Sequence, residues 1–532
     1  MKHAVRAALG LLALAAAWHV LALVYVFARR LGYPLDLEWM EGGTLLHALR
    51  LAEGKSIYVE PSVEFVPFLY MPLYPALLAL LGKGASLSYA LGRAVSIACF
   101  TAACAIAWRA VRREGGGRAF AAAAVGTIAA SFPLVDCFYD LVRVDSLQLA
   151  LLAGGLYVLR HRHGTAGGVA ASAALLGLAL WAKQTSVIFI VAGGVALLAL
   201  DWRRLWIYAL VLLVVDGAGM LWLDRATGGW FWRIVYDTHQ SHDVYWGRIQ
   251  YKAQWNMLRA APLVVAFPLL WLAVAAATRR ASLGARYWAF VAIAAIQASA
   301  VSFATQWAVR NAYIPGYTFA AVLLGVGGAD LFARARALAS PRLGAALAVL
   351  VALLPALQLA HLVYRPARYA PDTRAFASAK RFIRRLRALA KAGDVLIPYH
   401  PYYAVLVGRR PHFHQMGVND FTRAGDRKLA RRIRESLEGG RFASAVLDKE
   451  PDPRYGSPMR AWRRERLGGG DSPATLHGFR TRPRFVFRPG AGERVIPRIV
   501  PKPPRSRTTI PLRPAPREAT KQRRPPPAPT RR

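Results

Sequence analysis

A series of long, nearly uncharged apolar blocks runs from residue 7 to about residue 363 of this chain. The block at 343–363 could cross about 30 Å of hydrocarbon as a helix, at about 1.5 Å rise per residue. Hydrophobic residues make up 55% of the 532 residues. They come in unbroken runs and not at the spacing of an amphipathic helix or strand. The sequence therefore predicts an all-α polytopic membrane protein.

Eleven of these blocks have the length and apolarity of a membrane span. The predicted spans are 7–27, 87–108, 119–135, 147–159, 166–181, 187–200, 205–223, 260–277, 287–303, 313–332 and 343–363. Three prolines interrupt a further apolar block at 65–81. That block is either a twelfth span or a helix lying partly in the membrane interface. The spans at 147–159 and 187–200 would reach only about 20 Å, which predicts a water-filled cavity at the outer face.

The distribution of 70 Lys and Arg residues against 29 Asp and Glu predicts the orientation of the spans. With the N-terminus inside and eleven spans, the cytoplasmic connections carry the arginine clusters, as the positive-inside rule requires. These clusters lie at 109–118, 160–162, 203–204, 279–286 and 334–342. A twelfth span at 65–81 would place the later clusters outside. Because basic residues fill these connections and the C-terminal third, they indicate contact with membrane lipids and not with nucleic acid.

The character of the chain changes after the last span. A membrane domain at 1–365 is predicted to precede a small extracytoplasmic α/β domain at 366–500, whose composition is mixed. Apolar residues at helical spacing predict a helix at 374–392. Strand-like runs occur at 394–398, 402–408 and 442–447. Pro and Arg dominate residues 501–532, which are predicted to form a disordered tail.

The first outer connection contains three carboxylates within six residues, namely Asp36, Glu38 and Glu41. Group transfer to a hydroxyl or amine needs a base to take the proton of the acceptor, and a carboxylate can do so. Crowded carboxylates can also raise one another's pKa or bind a divalent cation. All three residues are therefore catalytic candidates. The alternative is a helix N-terminus at which acidic residues are favoured by the macrodipole alone.

Three runs near this cluster are informative: EWMEGG at 38–43, ALRLAEGKSIY at 48–58 and YMPLYP at 70–75. Together they resemble the bacterial GT-C superfamily of multi-span membrane glycosyltransferases. This superfamily is related to protein O-mannosyltransferases and to the lipid A aminoarabinose transferase. The resemblance implies an inverting transfer from a polyprenyl-phosphate sugar. It also implies that Tyr58 and Tyr74, which lie in these runs, are close to the substrate.

The family pattern has two acidic residues in the first outer connection. Counting back from the GKSIY run places the second acid at Glu41 and the first at Met40, which cannot ionise. Either Glu38 or Asp36 must supply the other carboxylate, or the site works with one. This is a departure from the pattern of the family.

Two further positions are similar to the family. The run DLVRVD at 140–145 resembles an Arg-x-Asp signature at the entrance of a helix. Arg143 could bind phosphate through two hydrogen bonds, with Asp145 beside it; alternatively, the two residues form a structural pair. Lys183 lies on the outer side in the predicted topology, against the positive-inside tendency. The resemblance implies that it meets the lipid phosphate, whereas snorkelling to the interface is the alternative.

Weaker signals lie in later outer connections. Arg310 and Asn311 precede a span in a run similar to the last outer loop of the family, so they are substrate-binding candidates. His239 and His242 are three residues apart and could share a metal ion. The sequence identifies no certain cofactor, and a divalent metal ion is left open.

These observations favour an enzyme that moves a sugar from a polyprenyl-phosphate carrier to a lipid, glycan or protein acceptor of the cell envelope. The expected location is the inner membrane of a bacterium. A transporter is the main alternative, but transporters usually show paired repeats and ionisable residues near the middle of the bilayer. A non-catalytic assembly subunit with the same fold is the other alternative, because Met40 replaces a family acid.

Overall fold

The computed structural model describes residues 2–83, 86–278, 282–468 and 482–489. The predicted tail at 501–532 and residues 490–500 of the predicted outer domain lie outside the described residues. In chain order, the helices of the apolar region are α1 (Lys2–Leu31), α2 (Glu41–Ala52), α3 (Leu73–Gly82), α4 (Tyr89–Arg113), α5 (Arg118–Ala130), α6 (Asp145–Arg162), α7 (Ala166–Ala182), α8 (Val187–Asp201), α9 (Leu205–Leu212), α10 (Gly219–Ala226), α11 (Trp230–Trp232), α12 (Ala253–Ala260), α13 (Pro262–Thr278), α14 (Leu283–Ala304), α15 (Ile314–Arg336) and α16 (Pro341–His361).

Within the described ranges, six helical stretches are long and apolar enough to cross a membrane. A seventh is counted if the bent pair Arg248–Ala260 and Pro262–Ala277 forms one span. The helices α3, α5 and α7 are apolar but shorter. A multi-pass membrane protein is therefore confirmed. The count of eleven spans and their orientation remain predictions.

The stretch Gln184–Ala226 is one of these six by composition, but it folds back on itself. Asp201 leaves the helical conformation, with φ −163° and ψ 79°. The Tyr208 hydroxyl of α9 then donates to the Ile190 carbonyl of α8 over 2.8 Å. In a straight helix these two residues would be about 27 Å apart. The blocks predicted at 187–200 and 205–223 are therefore separate helices.

The central helix of the bundle is α15. In its apolar stretch 72% of the residues are buried, against 39% in α1 and in α4. Small residues allow close helix approach: a methyl group at Gly126 of α5 would lie 2.5 Å from the Cα of Ala16 in α1. Membrane helices associate through such small residues because the surrounding lipid is as apolar as the side chains.

A small α/β unit follows α16. Its helices are α17 (Thr373–Ala390), α18 (Tyr402–Val405), α19 (Gln415–Arg423) and α20 (Arg427–Glu438), and its strands are β1 (Val395–Leu396), β2 (Ser444–Leu447), β3 (Arg463–Arg466) and β4 (Phe485–Arg488). The strand order is β1-β2-β4-β3, with β1 and β2 parallel and the other pairs antiparallel. The helix predicted at 374–392 and the strands within 394–398 and 442–447 are confirmed. The predicted domain boundaries at 365 and 500 remain predictions.

The strand predicted at 402–408 is wrong, because that segment begins with α18. The Tyr402 hydroxyl donates to the Leu87 carbonyl over 2.7 Å, and the Tyr403 hydroxyl accepts from the Asp36 N–H over 3.3 Å. Two consecutive side chains thus reach the segment before α4 and residues 32–40, which we call the first outer loop after its predicted orientation. In a strand, consecutive side chains point to opposite faces, so these contacts favour a helical turn over the strand propensity of the sequence.

The close contact of α1 and α5 makes Gly126→Ala destabilising. The added methyl must displace backbone, and overpacking of this kind costs about 1–3 kcal/mol. We expect a lower thermal unfolding midpoint of the detergent-solubilised protein. Gly154→Ala in α6 is the matched control, because a methyl there would have its nearest neighbour at 3.5 Å. Both changes gain the same helix propensity, so equal midpoints would contradict the packing argument.

Candidate active site

A buried ion pair between Arg93 of α4 and Glu41 of α2 holds the first outer loop in place. Arg93 donates from Nε and Nη2 to the two carboxylate oxygens of Glu41, over 3.0 and 2.8 Å. Its remaining donors bond the carbonyls of Arg30, Tyr33 and Leu35 at distances from 2.6 to 3.1 Å. All five guanidinium N–H groups therefore have acceptors, which offsets the cost of burying the charge.

Glu41, a catalytic candidate from the sequence, is enclosed by this arrangement. It is 0% exposed and also accepts from the N–H groups of Leu37 and Val142 over 2.6 and 3.0 Å. Burial by itself would raise its pKa, but Arg93 and these hydrogen bonds hold the pKa of Glu41 below its ordinary value. The structure places Glu41 as a cross-link between the two outer loops and α4, behind the wall of the cavity described next.

A cavity of about 380 Å³ lies beside this cross-link. Its walls include Glu38, Arg143, Lys183 and Asn311, which were all predicted as site residues, together with Tyr70. These residues come from the first outer loop, the second outer loop, the break between α7 and α8, and the turn before α15. The fold therefore brings four distant sequence candidates to one cavity.

Glu38 and Arg143 face each other in this cavity. Arg143 Nη1 lies 3.4 Å from Glu38 Oε2, and Arg143 Nη2 donates to the Tyr70 hydroxyl over 3.0 Å. Burial raises the pKa of Glu38 to about 7, although the charge of Arg143 acts in the opposite direction. A carboxylate with this pKa can accept a proton near neutral pH.

Lys183 and Asn311 are oriented by a shared carboxylate. Lys183 Nζ lies 2.8 Å from Asp145 Oδ1, and Asn311 Nδ2 donates to the same oxygen over 3.0 Å. Lys183 is in an extended conformation that ends α7, so its side chain reaches the cavity from a break between two helices. An ammonium group has three donors, and Asp145 accepts from one of them. Asp145 itself supports the cavity without being one of its lining residues.

The remaining sequence candidates take supporting positions. Arg310 is about half exposed and pairs with Asp136 at 2.5 Å. The Tyr58 hydroxyl donates to the Tyr70 carbonyl over 3.0 Å, and the Tyr74 hydroxyl donates to a backbone carbonyl of α4 over 2.9 Å. The structure therefore places Tyr58 and Tyr74 in the packing that supports the outer loops, and Arg310 outside the group that lines the cavity.

Asp36, the third carboxylate candidate, is bound to the C-terminal α/β unit. His400 Nδ1 lies 2.6 Å from Asp36 Oδ2, and His400 Nε2 lies 3.0 Å from Asp448 Oδ2. Burial would lower the pKa of His400, but the charge of Asp448 and the hydrogen bond with Asp36 raise it to about 10. This pKa favours a protonated imidazole between Asp36 and Asp448, while burial also raises the pKa of Asp36. Asp36 thus links the loop between α1 and α2 to the C-terminal α/β unit.

Tyr70, Arg93 and Asp420 were not predicted as site residues from the sequence. The position of Arg93 could have indicated a buried ion pair, because a charged side chain inside an apolar block requires a partner. Tyr70 is the first residue of the YMPLYP run that resembles the family, so its position was also informative. Asp420 lies in α19 of the C-terminal unit and lines the cavity, and nothing in the local sequence indicates this.

Among the described residues, no group of three or more His, Cys, Asp or Glu side chains is arranged to hold a metal ion. The rings of His239 and His242 meet edge to face at 5.2 Å, and His242 is paired with Asp420 at 3.0 Å. The divalent cation left open by the sequence thus has no three-ligand site in this part of the chain.

No protein-family model matches the chain, and no curated protein matches it by sequence. Two solved structures of ArnT from Cupriavidus metallidurans are similar over nearly their whole length. The form bound to undecaprenyl phosphate has a TM-score of 0.55 at 13% identity, covering 88% of this chain and 97% of that chain. The apo form has a TM-score of 0.54 at 14% identity, covering 90% and 98%.

The archaeal oligosaccharyltransferase AglB from Archaeoglobus fulgidus, solved with an inhibitory peptide and a dolichol-phosphate, is similar with a TM-score of 0.47. It is 14% identical, with 81% of this chain and 69% of that chain covered. The similarity to ArnT extends through the membrane region and beyond it. The chain therefore has the same fold as ArnT, which agrees with the resemblance to the GT-C superfamily noted in the sequence.

Proposed function

We propose that this chain is an inverting glycosyltransferase that moves a sugar from a polyprenyl-phosphate carrier to an acceptor of the cell envelope, on the outer side of the inner membrane. The observation that carries the proposal is Glu38, whose pKa is about 7, facing Arg143 across a cavity that Lys183 also lines. The cavity thus combines a base with two cations. The GT-C fold and the undecaprenyl phosphate bound in ArnT support this assignment.

In the proposed reaction, the acceptor oxygen or nitrogen attacks the anomeric carbon of the donor sugar. The bond between that carbon and the phosphate oxygen breaks, and the carrier phosphate leaves with the electron pair. Glu38 takes the acceptor proton, because its carboxylate faces the cavity whereas Glu41 is committed to Arg93.

Arg143 and Lys183 stabilise the negative charge that develops on the leaving phosphate. Arg143 offers a planar set of donors, and Lys183 is a point charge with two ammonium donors beyond the one bonded to Asp145. Asn311, on the same carboxylate, contributes a neutral donor. The acidic and basic residues meet at one cavity, which favours an enzyme over the transporter alternative.

Replacing the base tests the catalytic assignment. Glu38→Gln keeps the shape but cannot take a proton, so we expect transfer to fall by about 10²- to 10⁴-fold. The readout is the sugar-bearing mass in envelope lipids and glycans of a deletion strain that expresses the variant. Glu53→Gln, at an exposed site of the same region, is the control. Undiminished transfer by Glu38→Gln would favour a non-catalytic role or another base.

The raised pKa of Glu38 predicts a pH dependence. The carboxyl group is protonated below about pH 7 and cannot then accept a proton, so kcat/KM should fall about tenfold per pH unit on the acidic side. Kinetics of the purified protein between about pH 5 and pH 9 measure this limb. A profile that is flat through this range would show that Glu38 does not act as the base.

Removal of the Lys183 charge tests the phosphate contact. We expect Lys183→Gln to weaken binding of undecaprenyl phosphate about 10- to 100-fold, because a hydrogen bond to a charged group contributes about 1.5–3 kcal/mol. Titration of the detergent-solubilised protein gives the dissociation constant. Lys183→Arg should retain much of the affinity, and the exposed Lys55→Gln should retain all of it. Equal affinity of Lys183→Gln and wild type would rule out the contact.

A further inference from the structure

The helix α19 of the C-terminal unit forms part of the cavity wall. Met416 and Asp420 lie one turn apart on α19, so they share a face, and both line the cavity. Met416 packs with Met40 and Phe68 in one apolar cluster, against which Trp39 and Tyr70 are also packed. The cavity therefore has an apolar wall, with the carboxylate of Asp420 close to it.

The position of α19 is closely determined by packing. A methyl group at Gly417 would lie 2.6 Å from a methyl carbon of Val66 and 3.1 Å from the Pro67 carbonyl oxygen. Val418 and Phe421 are buried in the core of the same region. Asp420 is thus held on a rigid helix, which is the support that a specific binding group needs.

Asp420 is also oriented by a partner from a different part of the chain. His242 Nε2 lies 3.0 Å from Asp420 Oδ1, and the two side chains are 8% and 4% exposed. On the other side, burial raises the pKa of Tyr70, and the charges of Glu38 and Asp420 add to this effect. Asp420, Glu38 and Tyr70 all line the cavity.

A carboxylate in this position cannot contribute to phosphate binding, because it would repel the anion. It can accept hydrogen bonds from hydroxyl groups, and a buried polar group of this kind gains strong selectivity for a ligand that supplies them. The adjacent apolar wall offers a surface for the C–H face of a ring. A sugar ring combines hydroxyl groups with apolar C–H faces, so it matches both features of this part of the cavity.

We propose that Asp420, oriented by His242 and flanked by the apolar wall of Met40, Phe68 and Met416, forms a subsite that binds the hydroxyl groups of a sugar ring. The inference rests on the proposed glycosyl transfer and identifies which part of the cavity recognises the sugar. The α/β unit thereby contributes a specificity-determining residue. The ring belongs to the donor if it is bound with the carrier, and to the acceptor if it is bound separately.

The test compares binding of undecaprenyl phosphate with binding of undecaprenyl phosphate that carries glucose, mannose or arabinose. For a donor subsite, the wild-type protein prefers one sugar-bearing carrier over the bare carrier. Asp420→Asn should lower that preference about tenfold or more, while the affinity for bare undecaprenyl phosphate stays unchanged. His242→Asn should produce a smaller loss in the same direction, because it removes the partner that orients Asp420 and leaves the carboxylate in place.

Asp243→Asn is the matched control, since Asp243 pairs with Arg423 at the exposed rim over 2.7 Å and is next to His242 in the chain. If Asp420→Asn leaves carrier binding unchanged but raises KM for the acceptor in transfer, the ring belongs to the acceptor. Equal weakening of bare and sugar-bearing carriers, or no change in either binding or KM, would overturn the subsite. Wild-type protein that binds no carrier and transfers no sugar would instead contradict the proposed function, and this inference with it.

Discussion

The buried pair of Arg93 and Glu41 is the interaction on which the geometry of the cavity depends. An ion pair in the protein interior is retained only if its desolvation is offset by hydrogen bonds, and here five donors of the guanidinium all have acceptors. Glu41 in turn accepts from Leu37 and Val142. Each of these two residues directly precedes a cavity residue, Glu38 or Arg143. The two outer loops are thereby held so that the carboxyl group of Glu38 and the guanidinium of Arg143 face each other.

Three carboxylates of one short segment have three different environments. Glu41 is surrounded by donors and stays ionised, whereas Asp36 lies beside a histidinium that Asp448 also holds. Glu38 is buried with one cationic partner, Arg143 at 3.4 Å, and burial outweighs that charge, so its pKa is raised to about 7. Side chains with the same chemistry thus differ in proton affinity because burial, charge and hydrogen bonding act on each in different proportions. Within six residues, Asp36 and Glu41 are thus engaged in structural contacts, whereas Glu38 lines the cavity.

The C-terminal α/β unit takes part in the site from two directions. His400 bonds Asp36 of the first outer loop, and α19 places Met416 and Asp420 at the cavity. Tyr402 and Tyr403 make further hydrogen bonds to the membrane-region side. A substitution in this unit would therefore alter the cavity through direct contacts, even though its residues lie far from the first loop in the chain.

The sequence by itself determined the membrane character, the acidic first loop and the GT-C resemblance, because apolar block length and short motifs are local properties. It also identified Glu38, Arg143, Lys183 and Asn311 as candidates. Only the tertiary structure decided that Glu41 is enclosed by Arg93 and that Asp420, Glu38 and Tyr70 line one cavity. Partners of a buried charge come from distant segments, and local sequence does not encode which segments will meet. The proton affinity of each carboxylate depends on those partners, so the separate environments of Asp36, Glu38 and Glu41 became visible only in the folded chain.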